Sequence, residues 1–153
     1  MLAAIRFYDV VLWIHITSVV VAFGALFAYP IFLAVNARHP IAERAALHRL
    51  QIAFSKNVTG PVIGLVLLAG IYLATDADAW SEAWVTVPLV LLIVIAGIGS
   101  TVLRRGEERL VATAEAGDEA GYADALSGAR LWLWVTLVLI VVAIFLMTVK
   151  PFS

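Results

Sequence analysis

Four long apolar runs that contain no Asp, Glu, Lys or Arg constrain this chain more than any other feature. They cover residues 10–35, 58–75, 85–103 and 131–149. A helix rises about 1.5 Å per residue, so each run is long enough to cross a hydrocarbon core of about 30 Å. Because no water is available there, the backbone has to satisfy its own hydrogen bonds. The runs therefore predict an all-α membrane protein with four transmembrane helices in an up-down-up-down antiparallel bundle.

The composition agrees with a lipid environment. Of the 153 residues, 63% are hydrophobic and 14% are charged. In a soluble domain, about half of the residues are apolar and about a quarter are charged. The mean hydropathy is +1.02. This length leaves room for one domain, so we predict that residues 1–153 form a single four-helix transmembrane domain. The chain has no cysteine, which excludes disulfides and thiolate metal sites.

The charges in the connecting segments predict an orientation. Segments 36–57 and 104–130 carry four basic residues each, whereas the loop 76–84 carries three acidic residues and no basic one. The positive-inside rule places the two basic segments in the cytoplasm and both termini outside. The first run is longer than the roughly 7–15 apolar residues of a signal peptide, so we interpret it as a retained helix. The predicted location is the bacterial inner membrane.

The two cytoplasmic segments differ in pattern. Residues 40–56 have the spacing of an amphipathic helix, which predicts a cytoplasmic extension of the second span. Pro61 either kinks a continuing helix or follows a new start capped by Asn57 or Thr59, and we favour the continuous, kinked helix. Residues 104–130 contain four glycines, so we predict a mobile cytoplasmic loop of helical pieces with flexible joints.

His15 is the candidate for chemistry inside a span. Ionisable residues are rare in membrane helices and usually face the bundle interior, and His15 lies roughly 8 Å below the outer end of the first run. One hypothesis makes it a ligand for haem iron or a metal, or a proton-transfer group. The alternative is an interfacial histidine bonded to a backbone carbonyl, a neighbouring hydroxyl or a lipid headgroup. From position alone we favour the alternative, and we assign no catalytic residue.

The remaining histidines lie on the predicted cytoplasmic side. His39 and His48 are nearly a bilayer away from His15, so neither can share a haem or a metal ion with it. We expect both to be solvated residues on a helix face.

A second polar group lies at the inner mouth of the second span. It consists of Lys56, Asn57 and Thr59. The simplest interpretation is that Lys56 extends to lipid phosphate. The alternative is that this group holds a quinone headgroup or a haem propionate.

The first span resembles a known family of membrane proteins. His15, the sequence FGALF at residues 23–27, and Pro30 resemble the first helix of the HemJ-type protoporphyrinogen oxidases and of the copper-resistance D (CopD-like) membrane proteins. Through Gly60-Pro61 and the sequence GIYL at residues 70–73, the chain resembles still more an uncharacterised bacterial family of small four-helix membrane proteins of that group. The resemblance covers roughly residues 12–75.

The resemblance implies haem binding more than it implies an enzyme. In the HemJ-type enzymes, the histidine that matches His15 is implicated in haem binding or catalysis. That family usually has an arginine after the proline, where this chain has Ile31, and a Trp-Leu-x-x-Lys motif at the third span, where this chain reads AWVTVP at residues 83–88. These basic residues would be the partners of porphyrin carboxylates, so we do not carry the oxidase activity over.

Three classes of function remain, and we lean towards a protein that is not an enzyme. The first is a non-enzymatic accessory subunit of a larger membrane complex or a homo-oligomer. The second is a small redox-associated protein that binds haem b through His15. The third is a copper or small-molecule permeation protein, which the lack of clustered metal ligands disfavours. The lipid bilayer is the expected partner, and no basic patch or motif indicates nucleic acid.

Overall fold

Four long helices make up the architecture of this protein. The computed structural model describes residues 5–151, and within that range it contains no strand. Each helix is long and apolar enough to cross a membrane: α1 is Phe7–Asn36, α2 is Ile41–Asp76, α3 is Ala83–Glu115 and α4 is Glu119–Val149. The predicted all-α architecture with four spans is confirmed.

Short connections make neighbouring helices antiparallel. Residues 37–40, 77–82 and 116–118 link one helix to the next, and links of this length bring consecutive helices side by side. The start of α1 is fixed by Asp9, whose carboxylate accepts the Arg6 backbone N–H at 3.0 Å. A carboxylate in the first turn also interacts favourably with the helix dipole.

The second helix is continuous past Pro61, as predicted. It is α-helical over Ile41–Phe54, passes through a π turn at Ser55–Thr59 and continues as Gly60–Asp76. Asn57 does not cap a new helix, because its Nδ2 donates to the Ala53 carbonyl oxygen at 2.8 Å. Pro61 has no amide hydrogen to donate within the helix. The wider π turn directly before it lets the helix continue without that hydrogen bond.

Residues 104–130 form two helical pieces, as predicted, but these pieces continue the flanking spans and meet at a single joint instead of several. α3 continues to Glu115 and α4 begins at Glu119, so the break between them is a three-residue turn. Gly117 occupies that turn at φ +67°, and Asp118 caps α4 by accepting the Gly121 N–H at 2.9 Å. Glycine within a helix costs only about 1 kcal/mol relative to alanine, and the apolar surface that α3 and α4 bury against each other outweighs this cost.

The helices extend beyond the apolar runs at one end of the bundle. We call this end, formed by residues 37–57 and 104–130, the basic end, and the opposite end, formed by residues 5–9, 76–84 and 150–151, the terminal end. At the basic end α2 packs against α3, while nearer the terminal end α1 packs on α2 and α3 on α4. The fully buried core side chains run through both halves: Leu33, Ile95, Leu110, Leu133 and Ile140.

Candidate functional site

His15 lies on α1 and faces α2. Its Nδ1 is 3.0 Å from the Val66 carbonyl oxygen. A carbonyl only accepts, so Nδ1 carries the hydrogen and donates it, which leaves Nε2 of the neutral ring with a lone pair. Nε2 has no hydrogen-bond partner among residues 5–151. Gly70 gives the ring its space, because a Cβ at that position would lie 3.2 Å from His15 Cε1.

A cavity of about 60 Å³ adjoins His15 between the four helices. It lies in the half of the bundle nearer the terminal end. Apart from His15, the one lining side chain with a polar atom is Trp80, whose Nε1–H donates to Thr75 Oγ1 at 3.2 Å. The other lining side chains are apolar and include Phe23, Leu67, Pro88, Leu92 and Met147. His15 and Trp80 are therefore the polar side chains of an otherwise apolar lining.

This cavity does not fit a haem. Its volume of about 60 Å³ lies far below the roughly 300–1,000 Å³ of typical small-molecule sites. Within residues 5–151 no group of three or more His, Cys, Asp or Glu side chains is placed to hold a metal ion. The arrangement supplies one nitrogen ligand without space for a porphyrin around it.

A second candidate site lies at the basic end, where three polar side chains from three helices meet. We call His48 of α2, Glu107 of α3 and Tyr122 of α4 the polar cluster. His48 Nδ1 is 2.7 Å from Glu107 Oε2, and His48 Nε2 is 2.9 Å from Tyr122 Oη. The exposed fractions of the three residues are 0%, 4% and 2%. The cluster is thus a buried chain of hydrogen bonds across the bundle.

The prediction that His48 is a solvated residue is wrong. The extension of α2 does not stand alone but packs against α3 and is hydrogen-bonded to α4 through Arg44 and His48. His48 and Ala45 are one turn apart on the face that this packing covers, and both are buried. His39, in contrast, keeps a side chain that is 43% exposed, in line with the expectation for that residue.

Burial keeps the polar cluster uncharged near neutral pH. The cluster lies outside the four apolar runs. Burial raises the pKa of Glu107 to about 8, and burial together with the nearby Arg44 lowers the pKa of His48 to about 4. The Glu107 carboxyl therefore donates its proton to His48 Nδ1, and His48 Nε2–H donates to the Tyr122 oxygen.

Arg44 lies beside the polar cluster and contacts its Tyr122 ring. Its guanidinium lies 4.7 Å from the centroid of the Tyr122 ring, and it donates to the Glu119 carboxylate at 2.9 Å. Two buried oxygens, Asn36 Oδ1 and Glu107 Oε1, have no hydrogen-bond partner in the part of the chain that the structure describes. Each of these oxygens can accept a further hydrogen bond, so the region offers two unused acceptor atoms.

The polar group predicted at the inner mouth of the second span lies within the π turn of α2. Lys56 and Asn57 are exposed, whereas Thr59 is buried. A contact of Lys56 with lipid phosphate, or a joint binding site for a quinone or a propionate, stays a prediction.

The fold and these sites define a small multi-pass integral membrane protein. The chain belongs to the DUF2269 family, described as "Predicted integral membrane protein", which matches residues 9–151. No curated protein matches the chain, and no solved structure does. The family supports the membrane and multi-pass parts of the prediction. It gives no support to a relation with the HemJ-type or CopD-like proteins.

Proposed function

We propose that this protein binds a hydroxyl-bearing apolar molecule of the membrane, such as a hydroquinone, with His15 Nε2 as the hydrogen-bond acceptor. The observation that supports this most is the 3.0 Å hydrogen bond between His15 Nδ1 and the Val66 carbonyl. This bond uses the hydrogen on Nδ1, so the lone pair on Nε2 remains for a ligand. A hydroxyl group complements a lone pair, whereas the carbonyl of a quinone does not.

The shape of the site supports an elongated ligand. The lining extends along the helices from Trp80 and Met147, near the terminal end, to Ile95. The cavity of about 60 Å³ has room for a hydroxyl group beside His15 but not for a whole ring, so the proposal requires the neighbouring helices to move apart around the ring of the ligand. This is a redox-associated role for the protein that requires no haem.

Binding of a reduced and an oxidised quinone tests the proposal. Ubiquinol-1 and ubiquinone-1 would be titrated anaerobically into the purified protein while the fluorescence of its tryptophans, including Trp80 in the lining, is followed. We expect ubiquinol-1 to bind more tightly, and His15→Leu to weaken its binding roughly fivefold to tenfold, the size expected for one hydrogen bond. His39→Leu, at the opposite end, is the matched control. Equal binding of both quinones, or unchanged binding to His15→Leu, contradicts the proposal.

Haem ligation by His15 would use the same nitrogen, but the cavity of about 60 Å³ has no space for a porphyrin, so we do not propose it. A histidine whose other nitrogen donates to a backbone carbonyl is the usual arrangement around metals. The visible spectrum of protein purified from haem-supplemented cells decides between the two. A Soret band that disappears in His15→Ala would replace the quinol proposal. If neither a quinol nor haem binds, the accessory role in a larger complex is the hypothesis that remains.

We infer that the basic end faces the cytoplasm of a bacterial cell and that both termini lie outside. The arginines and lysine of segments 36–57 and 104–130 support this orientation. Because the chain has no cysteine, single reporters can be introduced as Ser81→Cys and Ala116→Cys in the connecting turns. A membrane-impermeant thiol reagent should label the first variant in intact cells and the second only after permeabilisation. The reverse pattern would invert the orientation.

A further inference from the structure

A groove between α3 and α4 opens to the surroundings at the basic end. Its volume is about 380 Å³, within the range of small-molecule sites. α3 lines it with residues spaced by three and four positions, which places them on one helix face: Val102, Arg105, Gly106 and Arg109. α4 lines it in the same way: Asp124, Ala125, Ser127, Gly128, Ala129 and Trp132.

The groove lies at the boundary of the apolar runs. The third run ends at residue 103 and the fourth begins at residue 131, so the groove begins where the hydrocarbon core ends. Trp132 stands at this boundary, as tryptophans commonly do at a membrane interface. Exposed apolar side chains at Leu131 and Val135 continue from it along α4. A lipid whose chains lie against these side chains would have its headgroup beside the groove.

One positive charge in the groove is not neutralised. Arg109 Nη2 pairs with Asp124 Oδ2 at 2.8 Å across the two helices, and Arg104 pairs with Glu108 beside the groove. Arg105 has no ion-pair or hydrogen-bond partner within residues 5–151. Asp124 is the only acidic residue in the lining, so the groove keeps the charge of Arg105.

Small residues leave space beside this charge. A Cβ added at Gly128 would meet nothing within 4 Å, and one at Gly106 would meet only Ala129 Cβ at 3.7 Å. No side chain therefore fills the groove at these two glycines. A bulky polar group can approach Arg105 there without moving the backbone.

We propose that this groove binds the headgroup of an anionic phospholipid, with Arg105 contacting the phosphate. An arginine guanidinium matches the oxygens of a phosphate in a bidentate manner, and basic pockets beside membrane helices are suited to such headgroups. The position at the hydrocarbon boundary favours a lipid over a soluble anion. The proposal does not depend on His15 or on the orientation of the chain.

Lipid binding to the full-length protein in detergent tests the proposal. Native mass spectrometry would compare bound dioleoyl-phosphatidylglycerol with dioleoyl-phosphatidylcholine. We expect the wild type to prefer the anionic lipid and Arg105→Gln to bind it about tenfold more weakly, as expected for a lost charge-assisted contact. Arg38→Gln is the matched control, because Arg38 is also an exposed arginine of the basic end and has no ion pair with any residue from 5 to 151.

A steric variant separates the groove from general charge attraction. Gly128→Leu keeps the charge and directs a side chain into open space, so it should fold, fill the groove and lose the lipid preference. Unchanged preference in Gly128→Leu, or equal losses in Arg105→Gln and Arg38→Gln, would overturn the proposal. Inorganic phosphate that competes at the affinity of the lipid would also overturn it, because the site would then bind a free anion. If Gly128→Leu does not fold, the pair of arginine variants still decides.

Discussion

The two halves of the bundle are held together in different ways. Near the terminal end, the helices surround an apolar cavity, and a hydrogen bond between helices joins His15 to Val66. At the basic end, the polar cluster links three helices through two buried hydrogen bonds. Ion pairs such as Arg44 with Glu119 add to this end. One half resembles a loosely filled membrane bundle, and the other resembles the interior of a soluble helical protein.

The solvent on each side explains this difference. Lipid is as apolar as the side chains it contacts, so helices in the hydrocarbon core gain little from the hydrophobic effect and depend on close packing. Outside the core, water restores that driving force, and Leu110, Ala114 and Ala125 are buried accordingly. The basic end should therefore contribute most of the stability, and the terminal half should adapt more readily to a ligand.

The largest effect is expected from Glu107→Ala. It removes the hydrogen bond to His48 and leaves a cavity in a site that is 4% exposed, which should lower the free energy of unfolding by about 2–4 kcal/mol. Glu108→Ala, one residue away, removes only an exposed ion pair with Arg104, which should change stability by less than about 1 kcal/mol. Thermal unfolding in detergent measures both. Similar losses in the two variants would show that the buried polar cluster contributes no more to the stability of the basic end than an exposed ion pair does.

The next effect is a dependence of stability on pH. Glu107 has a folded pKa of about 8 against an ordinary value of 4.5, so between these values the folded protein holds one more proton, and stability falls as pH rises. His48, at about 4 against 6.5, gives the opposite slope between those two values. Below pH 6.5, the gain in stability from His48 as pH rises offsets the loss from Glu107. Between about pH 6.5 and 8 only the loss from Glu107 remains, so stability falls.

Unfolding midpoints measured across pH 5–9 test this dependence. The wild type should lose stability above pH 6.5 by about 1.4 kcal/mol per pH unit at most, the limit for one proton. Glu107→Gln should remove that loss and expose the rise with pH that His48 produces at lower pH. A wild-type midpoint that stays constant between pH 6.5 and 8 would show that Glu107 is not held protonated in the fold.

The four spans could be predicted from the sequence because their signal is local. An uninterrupted apolar run has one structural solution in lipid, so residues 10–35 and the three later runs indicated helices directly. The continuity of α2 past Pro61 was also predictable, since one missing amide does not end a helix that packing supports.

The polar cluster could not be predicted in the same way. His48 comes from segment 36–57, whereas Glu107 and Tyr122 come from segment 104–130, and both segments have the charged composition of solvated chain. Their meeting depends on the packing of α2 against the hairpin of α3 and α4, which is a long-range property. One signal was present: Glu107, Leu110 and Ala114 recur at helical spacing, and all three are buried. The four glycines nearby led instead to the prediction of a flexible loop.

The smallest effect on stability is expected from His15→Leu. The substitution removes one hydrogen bond, from Nδ1–H to the Val66 carbonyl. That carbonyl lies within a helix and retains its usual partner four residues later, so no buried group is left unsatisfied. We expect the ligand-free protein to lose less than about 1 kcal/mol, measured by unfolding in detergent beside Glu107→Ala. A loss as large as that of Glu107→Ala would make His15 a structural residue. A small loss combined with weaker ubiquinol-1 binding would instead identify the terminal half as the adaptable, ligand-binding part of the bundle.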